Sequence, residues 1–297
     1  MPTLEFVGQS ARDDDARMAQ SSRLVNFYRE PIAAGGQAQF LLKSVLGMNA
    51  TFATMPNALV QAMHVLGSKL YAVAGDTLYE ISTSGAVTAL GSVTVGGDCT
   101  IASNDNKTTV AGGGNYYVWN GSTLSQPSAT RLTSFNSLAF LGNYTVLTGP
   151  NTTSGRDDEF QWSDLADPTT LDALNFNTAD GRDGVLTRCA SVNGVLFLFK
   201  ERSHEVWQLT GQSGANAFSR LAGGIRDVGL KSYRLFANMP DGAFFVDQDN
   251  RVQVISGIDT IPVSTPAVQT SLEQADPESC FYYSDEGHRF PVIRFRD

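Results

Sequence analysis

The sequence has 297 residues, of which 42% are hydrophobic, and it carries a net charge of −9 at pH 7. This length fits one large all-β domain or two ordinary domains. The acidic balance argues against a protein that grips nucleic acid through its phosphates, because such binding needs clustered Lys and Arg. No apolar run approaches the length of a transmembrane span, and the first 20 residues lack the apolar core of a secretory signal.

The beginning of the chain does not share the pattern of the rest. Residues 1–21 are polar and charged, which is typical of a mobile or partner-ordered arm, and residues 22–55 alternate apolar runs with Gly-rich turns. We therefore expect residues 1–55 to form an N-terminal arm and lead-in segment, and residues 56–297 to form one domain.

A repeated pattern runs through residues 56–297. Each unit contains a β run, a Gly or Asn turn, and a second β run that is rich in aromatic residues, and the turns lie 36 to 52 residues apart. Spacing of roughly 40–50 residues with several short strands per unit is typical of propeller blades. The sequence predicts an all-β, β-propeller-like ring of repeated antiparallel blades, with an N-terminal arm and two short helical insertions. The turn markers are Gly67, Asn106, Gly142, Gly194, Gly242 and Gly287.

An insertion, residues 151–184, interrupts the third unit. It begins as a loop, continues into a short strand with the sequence FQWSD, and then predicts a small helix within residues 164–176. Asp167 suits the N-cap of that helix, and Leu171 and Leu174 would share one helical face.

A second short helix is predicted near the end of the chain. It starts at Thr265, as the cap, and Pro266, and it runs to about Gln274. The unit after it is short, so we expect an incomplete last blade. Either the N-terminal segment supplies the missing strand, or the chain is part of something longer.

Three cysteines lie 90 and 91 residues apart, at Cys99, Cys189 and Cys280. Each falls in the same strand of alternate repeats. We predict that they are small buried side chains at equivalent blade positions rather than metal ligands or disulfide partners.

Some propellers cleave glycosides with acidic side chains, so the acidic residues of this chain are candidates for catalytic carboxylates. The candidates are Asp157, Asp158, Glu159, Asp180 and Asp183 in the insertion and Asp247 and Asp249 in a turn. Such hydrolysis needs two carboxyls about 5–9 Å apart, one of them with a raised pKa. Acidic loop residues in an acidic protein are usually just solvated. We predict no enzyme, no cofactor and no metal site, and keep a carbohydrate-binding or glycoside-hydrolysing propeller as the alternative.

Five strings resemble a known family. They occur in this order: LVNFYRE (24–30), FQWSDLADPTTLDALNFNTADGRDG (160–184), LFLFKERSHEVWQLTG (196–211), AFSRLAGGIRDVGLKS (217–232) and VSTPAVQTSLEQ (263–274). The ordered set resembles the packaged-DNA stabilisation proteins, or tail hubs, of short-tailed bacteriophages. The resemblance covers about residues 22–297.

That resemblance implies a structural protein of the virion tail, present in the host cytoplasm during assembly. Such hubs sit below the portal and its adaptor ring, retain the packaged DNA, and form a platform for needle and tailspike or fibre attachment. They are expected to form a homo-oligomeric ring, typically a hexamer, with DNA passing through the channel without specific binding and with no membrane partner. Family members usually continue well past this length, so a region that contacts more distal tail parts is expected to be absent here.

Candidate interface residues lie in the two segments outside the repeats. They are Val25, Asn26 and Tyr28 in the lead-in segment, and Trp162 and Phe176 in the insertion. Recognition residues tend to concentrate in such segments, and aromatic side chains are enriched at interfaces. The alternative for Trp162 and Phe176 is that they hold the insertion on its own blade.

Overall fold

The computed structural model describes residues 27–31, 40–44, 52–56, 59–128, 131–151, 153–285 and 287–296. The strands of this part are antiparallel and are grouped in chain order. A hairpin of β1 (Phe27–Pro31) and β2 (Phe40–Ser44) comes first. Blade 1 follows, with β3 (Val60–Leu66), β4 (Lys69–Ala74), β5 (Thr77–Ile81) and β6 (Val87–Ser92).

The next three blades repeat the same four-stranded plan. Blade 2 contains β7 (Cys99–Asn104), β8 (Lys107–Gly112), β9 (Asn115–Trp119) and β10 (Leu124–Ser125). Blade 3 contains β11 (Ser137–Leu141), β12 (Tyr144–Thr148), β13 (Glu159–Trp162) and β14 (Phe176–Thr178). Blade 4 contains β15 (Arg188–Val192), β16 (Val195–Phe199), β17 (His204–Leu209) and β18 (Phe218–Arg226), with a 3-10 turn at Gly214–Asn216.

The last two blades differ in size. Blade 5 contains β19 (Phe236–Met239), β20 (Gly242–Val246), β21 (Val252–Ser256) and β22 (Asp259–Pro262). Helix α1 (Pro266–Gln274) then leads to blade 6, a two-stranded sheet of β23 (Pro277–Asp285) and β24 (His288–Phe295). The predicted propeller-like fold of repeated antiparallel blades is confirmed.

Five of the six turn markers lie between the first and second strands of a blade, and the sixth, Gly242, is the first residue of the second strand of blade 5. These hairpins are tight, and a tight hairpin needs residues that tolerate positive φ. Gly67 (φ 62°) and Gly287 (φ 82°) provide this in blades 1 and 6, while Asn193 (φ 52°) and Gly194 (φ 78°) provide it in blade 4. The repeat was visible in the sequence because this backbone requirement recurs once per blade.

The core lies between the blades and is built by strands that are apolar on both faces. On β16, Leu196 and Leu198 pack toward blade 3, and Phe197 and Phe199 pack toward blade 5. Successive side chains of a strand point to opposite faces, so a continuous apolar run fills two junctions at once.

Four buried clusters follow one another around the ring. They fill the junctions between blades 1 and 2, 2 and 3, 3 and 4, and 4 and 5, and the last one continues onto Cys280, Ile293 and Phe295 of blade 6. Where blade 6 comes round to blade 1, apolar side chains stay exposed, including Met63 of β3 and Phe281 of β23. Among the described residues, buried apolar clusters therefore fill the junctions from blade 1 to blade 6, and none fills the junction between blades 6 and 1.

The helix predictions had opposite outcomes. Helix α1 is confirmed, with Thr265 at its N-cap and Pro266 in its first turn, although the Thr265 side chain makes no capping hydrogen bond. The helix predicted within residues 164–176 is wrong, because this segment consists of turns around an isolated bridge between Asp164 and Asp167.

The failed helix has a local cause. The Asp167 carboxylate accepts hydrogen bonds from Thr169 N (3.2 Å), Thr169 Oγ1 (2.6 Å) and Thr170 Oγ1 (2.8 Å), which closes a tight turn instead of starting a helix. Leu171 is buried while Leu174 is 69% exposed, so the two side chains do not share a face.

The cysteines confirm the predicted repeat position. Cys99, Cys189 and Cys280 lie in the first strand of blades 2, 4 and 6. Cys99 and Cys189 are buried, Cys280 is partly buried, and all three are free thiols. Burial raises the pKa of Cys189 to about 11 and that of Cys99 and Cys280 to about 12.

Candidate functional site

The first half of the insertion binds blade 2. The buried hydroxyl of Tyr116, on β9, donates to Pro168 O at 2.7 Å. Lys107, at the start of β8, forms an ion pair with Asp167 at 3.2 Å, and Leu171 enters the cluster between blades 2 and 3. Residues of blade 2 thus hold the insertion of blade 3 in place.

The second half of the insertion binds blade 4. Glu205, which is buried on β17, accepts a hydrogen bond from Gly181 N at 2.7 Å. Arg220, on β18, pairs with Asp180 at 3.1 Å. The buried Lys200 Nζ donates to Arg182 O in the same loop at 2.5 Å. The insertion therefore joins blades 2, 3 and 4 into one braced unit.

A buried carboxylate holds the base of the insertion. Glu159 is fully buried and accepts from Arg131 Nε (2.9 Å) and Nη2 (2.7 Å) and from Asn151 Nδ2 (2.8 Å). Burial acts to raise the pKa of Glu159, but these hydrogen bonds and the charge of Arg131 outweigh it, so the pKa lies below its ordinary value. A general acid needs the opposite shift.

Three of the other acidic residues named above, Asp158, Asp180 and Asp247, also make side-chain contacts within the fold. Asp158 pairs with Arg156, and Asp180 pairs with Arg220. Asp247 Oδ1 accepts from two backbone N–H groups of its own turn. The described residues hold no group of three or more His, Cys, Asp or Glu side chains that could bind a metal ion. These contacts give Asp158, Asp180 and Asp247 a structural role.

Trp162 lies in the core rather than on the surface. Its side chain is fully buried, its ring contacts Phe160 and Phe218, and its Nε1 donates to Gly214 O at 3.1 Å. The alternative interpretation places Trp162 against its own blade, which holds for the contact with Phe160, whereas Phe218 and Gly214 belong to blade 4. The Trp162 side chain offers no surface to a partner.

Phe176 and Tyr28 are partly buried by contacts within the chain. The Arg131 guanidinium lies 3.7 Å from the centre of the Phe176 ring. The ring of Tyr28, on β1, lies 4.7 Å from that of His288 and 5.3 Å from that of Phe290, both on β24. The N-terminal hairpin thus rests against blade 6. Val25 and Asn26 lie outside the described residues.

Contacts across the propeller axis were not predicted. Tyr233 precedes β19 of blade 5, and its hydroxyl donates to Thr100 Oγ1 of blade 2, on the opposite side of the ring, at 2.9 Å. Arg234 pairs with Asp98 at 2.6 Å across the same gap. The two residues of each pair lie more than 130 residues apart in the chain, so no local sequence pattern predicts the contact.

The structure is similar to solved structures at low sequence identity. A streptogramin B lyase structure aligns with 81% of this chain and 78% of its own, at 9% identity and a TM-score of 0.54. PorZ of Porphyromonas gingivalis aligns with 82% of this chain and 34% of its own, at 15% identity and a TM-score of 0.48. At these identities the likeness concerns the fold alone. Among the described residues, no helix is both long and apolar enough to cross a membrane.

Sequence comparison is more specific. No curated protein matches the chain. A family profile described as bacteriophage P22 Gp10, β-propeller, matches residues 8–297. That range contains the insertion, the axial contacts and every strand described above. The chain therefore belongs to the phage stabilisation family of bacteriophage P22 Gp10.

Proposed function

We propose that copies of this phage structural protein form a tail hub that retains packaged DNA. The ring of copies, six in number, would sit below the portal and its adaptor and would carry the needle and the tailspike or fibre proteins. The observation that supports this proposal is the family match across residues 8–297. The bracing of blades 2 to 4 by the insertion suits a part that must keep its shape under load.

The outer surface of the insertion is our candidate for the contact between copies. Leu165 and Leu174 are 55% and 69% exposed, although the same segment buries the large side chains of Phe160, Trp162 and Leu171. A contact that joins this surface to a different surface of the next copy is heterologous, and such contacts close into rings when the rotation allows. The contact would use these leucines rather than the buried Trp162.

DNA would pass between the copies and not through a single propeller. The axis of the propeller is crossed by the Tyr233–Thr100 and Arg234–Asp98 contacts. An acidic chain with a net charge of −9 repels phosphate, which suits a passage wall that does not hold DNA.

Ring formation can be tested by mass photometry of the purified protein. A hexamer has six times the 31.9 kDa mass of one chain. Replacing Leu165 and Leu174 together by Glu should leave single chains with an unchanged β circular dichroism spectrum. Ile261→Glu, at a 50% exposed apolar residue of β22, is the matched control and should leave the ring intact. Rings that survive the double substitution would contradict the proposed contact.

Genome retention needs a separate assay. Filled phage heads assembled without this protein should lose their DNA to added nuclease, and addition of the wild-type protein should restore protection. The Leu165 and Leu174 double variant should restore little. Equal protection with and without the protein would refute the proposal that it retains DNA.

A further inference from the structure

A cavity of about 580 Å³ lies on the propeller axis. Residues of the first strands of blades 1, 2, 4, 5 and 6 line it, together with Arg294 of β24 and the residues that precede β3 and β19. This volume falls within the range of about 300–1,000 Å³ that is usual for small-molecule sites. None of the interface and insertion residues discussed above lines it.

The described lining residues carry positive charge only. They include Arg188, Arg234 and Arg294, and no Asp or Glu is among them. Two of these arginines already have carboxylate partners, because Arg234 pairs with Asp98 at 2.6 Å and Arg294 pairs with Glu278 at 2.5 Å. In a chain with a net charge of −9, this lining is opposite in sign to the protein as a whole.

Arg188 is the lining arginine without a carboxylate partner in the described part of the chain. Its Nη1 donates to Tyr233 O at 2.7 Å, and its guanidinium lies 4.9 Å and 4.8 Å from the ring centres of Tyr233 and Phe236. Its Nε is shielded from solvent and has no acceptor. A shielded donor without a partner is costly, and a guanidinium is suited to a two-pronged bond to a carboxylate or phosphate.

A hydroxyl donor lies on the opposite wall. Thr100 Oγ1 accepts from Tyr233 OH at 2.9 Å and from Leu138 N at 2.8 Å. With both acceptor positions used, its own proton is free to be donated. Apolar side chains line the rest of the cavity, among them Met63 and Phe281, which are 63% and 48% exposed.

We propose that the axial cavity binds a small organic anion, namely a phosphate or carboxylate group on an apolar or aromatic body. Arg188 would bind the anionic group, the Thr100 hydroxyl would add a hydrogen bond, and Met63 and Phe281 would cover the body. Such a ligand would join strands of blades 1, 2, 4 and 6, so it would stabilise the propeller by binding only the folded state. This site is independent of the proposed hub function.

Isothermal titration with phenyl phosphate tests the proposal directly. The wild-type protein should bind it, and benzyl alcohol, which has the aromatic body without the anion, should bind about tenfold more weakly or worse. Arg188→Gln should weaken phenyl phosphate binding by about tenfold or more. Arg289→Gln removes the same charge from an exposed pair with Asp241 and should leave binding unchanged.

Three results would overturn the proposal: no binding of phenyl phosphate at millimolar concentration, equal affinity for benzyl alcohol, or equal affinity of the Arg188→Gln variant. If that variant does not fold, the wild-type comparison between the two compounds still decides. Inorganic phosphate should bind more weakly than phenyl phosphate, and equal affinity would refute the apolar half of the site.

Discussion

Replacing Glu159 by Gln should destabilise the propeller measurably, because this carboxylate is the fully buried partner of Arg131. The amide keeps the size and one acceptor of the carboxylate but removes its charge. Arg131 would then keep a positive charge that is only 30% exposed and has lost its two-pronged partner.

The expected loss follows from the burial of the pair. Breaking a buried ion pair by removing one partner costs about 3–5 kcal/mol, and the partial exposure of Arg131 places this case near about 3 kcal/mol. An unfolding entropy of about 2.1 cal/mol/K per residue gives about 0.6 kcal/mol/K for the 297-residue chain. The melting temperature should therefore fall by about 5 °C.

The loss should depend on pH in a defined direction. Since the pKa of Glu159 is lowered in the folded state, its contribution is complete above the ordinary value of 4.5 and is lost as the pH falls through the folded-state value. Thermal unfolding followed by circular dichroism should show the full difference between wild type and Glu159→Gln at pH 7. The difference should shrink as the pH falls below 4.5.

A matched control separates the effect of burying an ion pair from the effect of removing one charge. Asp241→Asn breaks the pair with Arg289, whose two side chains are 68% and 57% exposed, and it should leave the melting temperature within error. Equal melting temperatures for wild type and Glu159→Gln at pH 7, or a difference that does not change with pH, would refute the reasoning.

Three further predictions concern single side chains. Trp162→Ala should lower the free energy of unfolding by about 3–5 kcal/mol in chemical denaturation, whereas Leu174→Ala, at an exposed position, should change it little. Tyr28→Ala should speed protease cleavage of the N-terminal hairpin without changing the melting temperature of the propeller, since the described contacts of Tyr28 join this hairpin to β24; unchanged cleavage would contradict that packing. The Cys189 thiol, with a pKa raised to about 11, should react with iodoacetamide at pH 8 only after unfolding, so rapid labelling of the native protein would contradict its burial.

The fold could be predicted because its signals are local and repeated. A tight hairpin demands Gly or Asn at positive φ, and Asn193 and Gly194 meet that demand in one blade as Gly67 does in another. Helix α1 was predictable for the same reason, because Pro266 occupies its first turn.

The contacts that decide the roles of individual residues were not predictable from the sequence. Asp167 has the chemistry of a helix cap, but Thr169 and Thr170 bond its carboxylate into a turn. Tyr233 and Thr100 meet across the ring although 133 residues separate them. Such pairings follow from how the blades close, and no spacing in the sequence encodes them.

The described residues form no buried apolar cluster between blades 6 and 1, which makes the ring mechanically uneven. Four junctions are filled by continuous buried clusters, while Met63 and Phe281 remain exposed where the first and last blades meet. Local opening begins where the fewest apolar contacts oppose it. Force on the ring should therefore separate blades 6 and 1 before any other pair of blades. A partner that binds across blades 6 and 1 should therefore stabilise the closed ring more than a partner that buries the same area on blades 2 to 4.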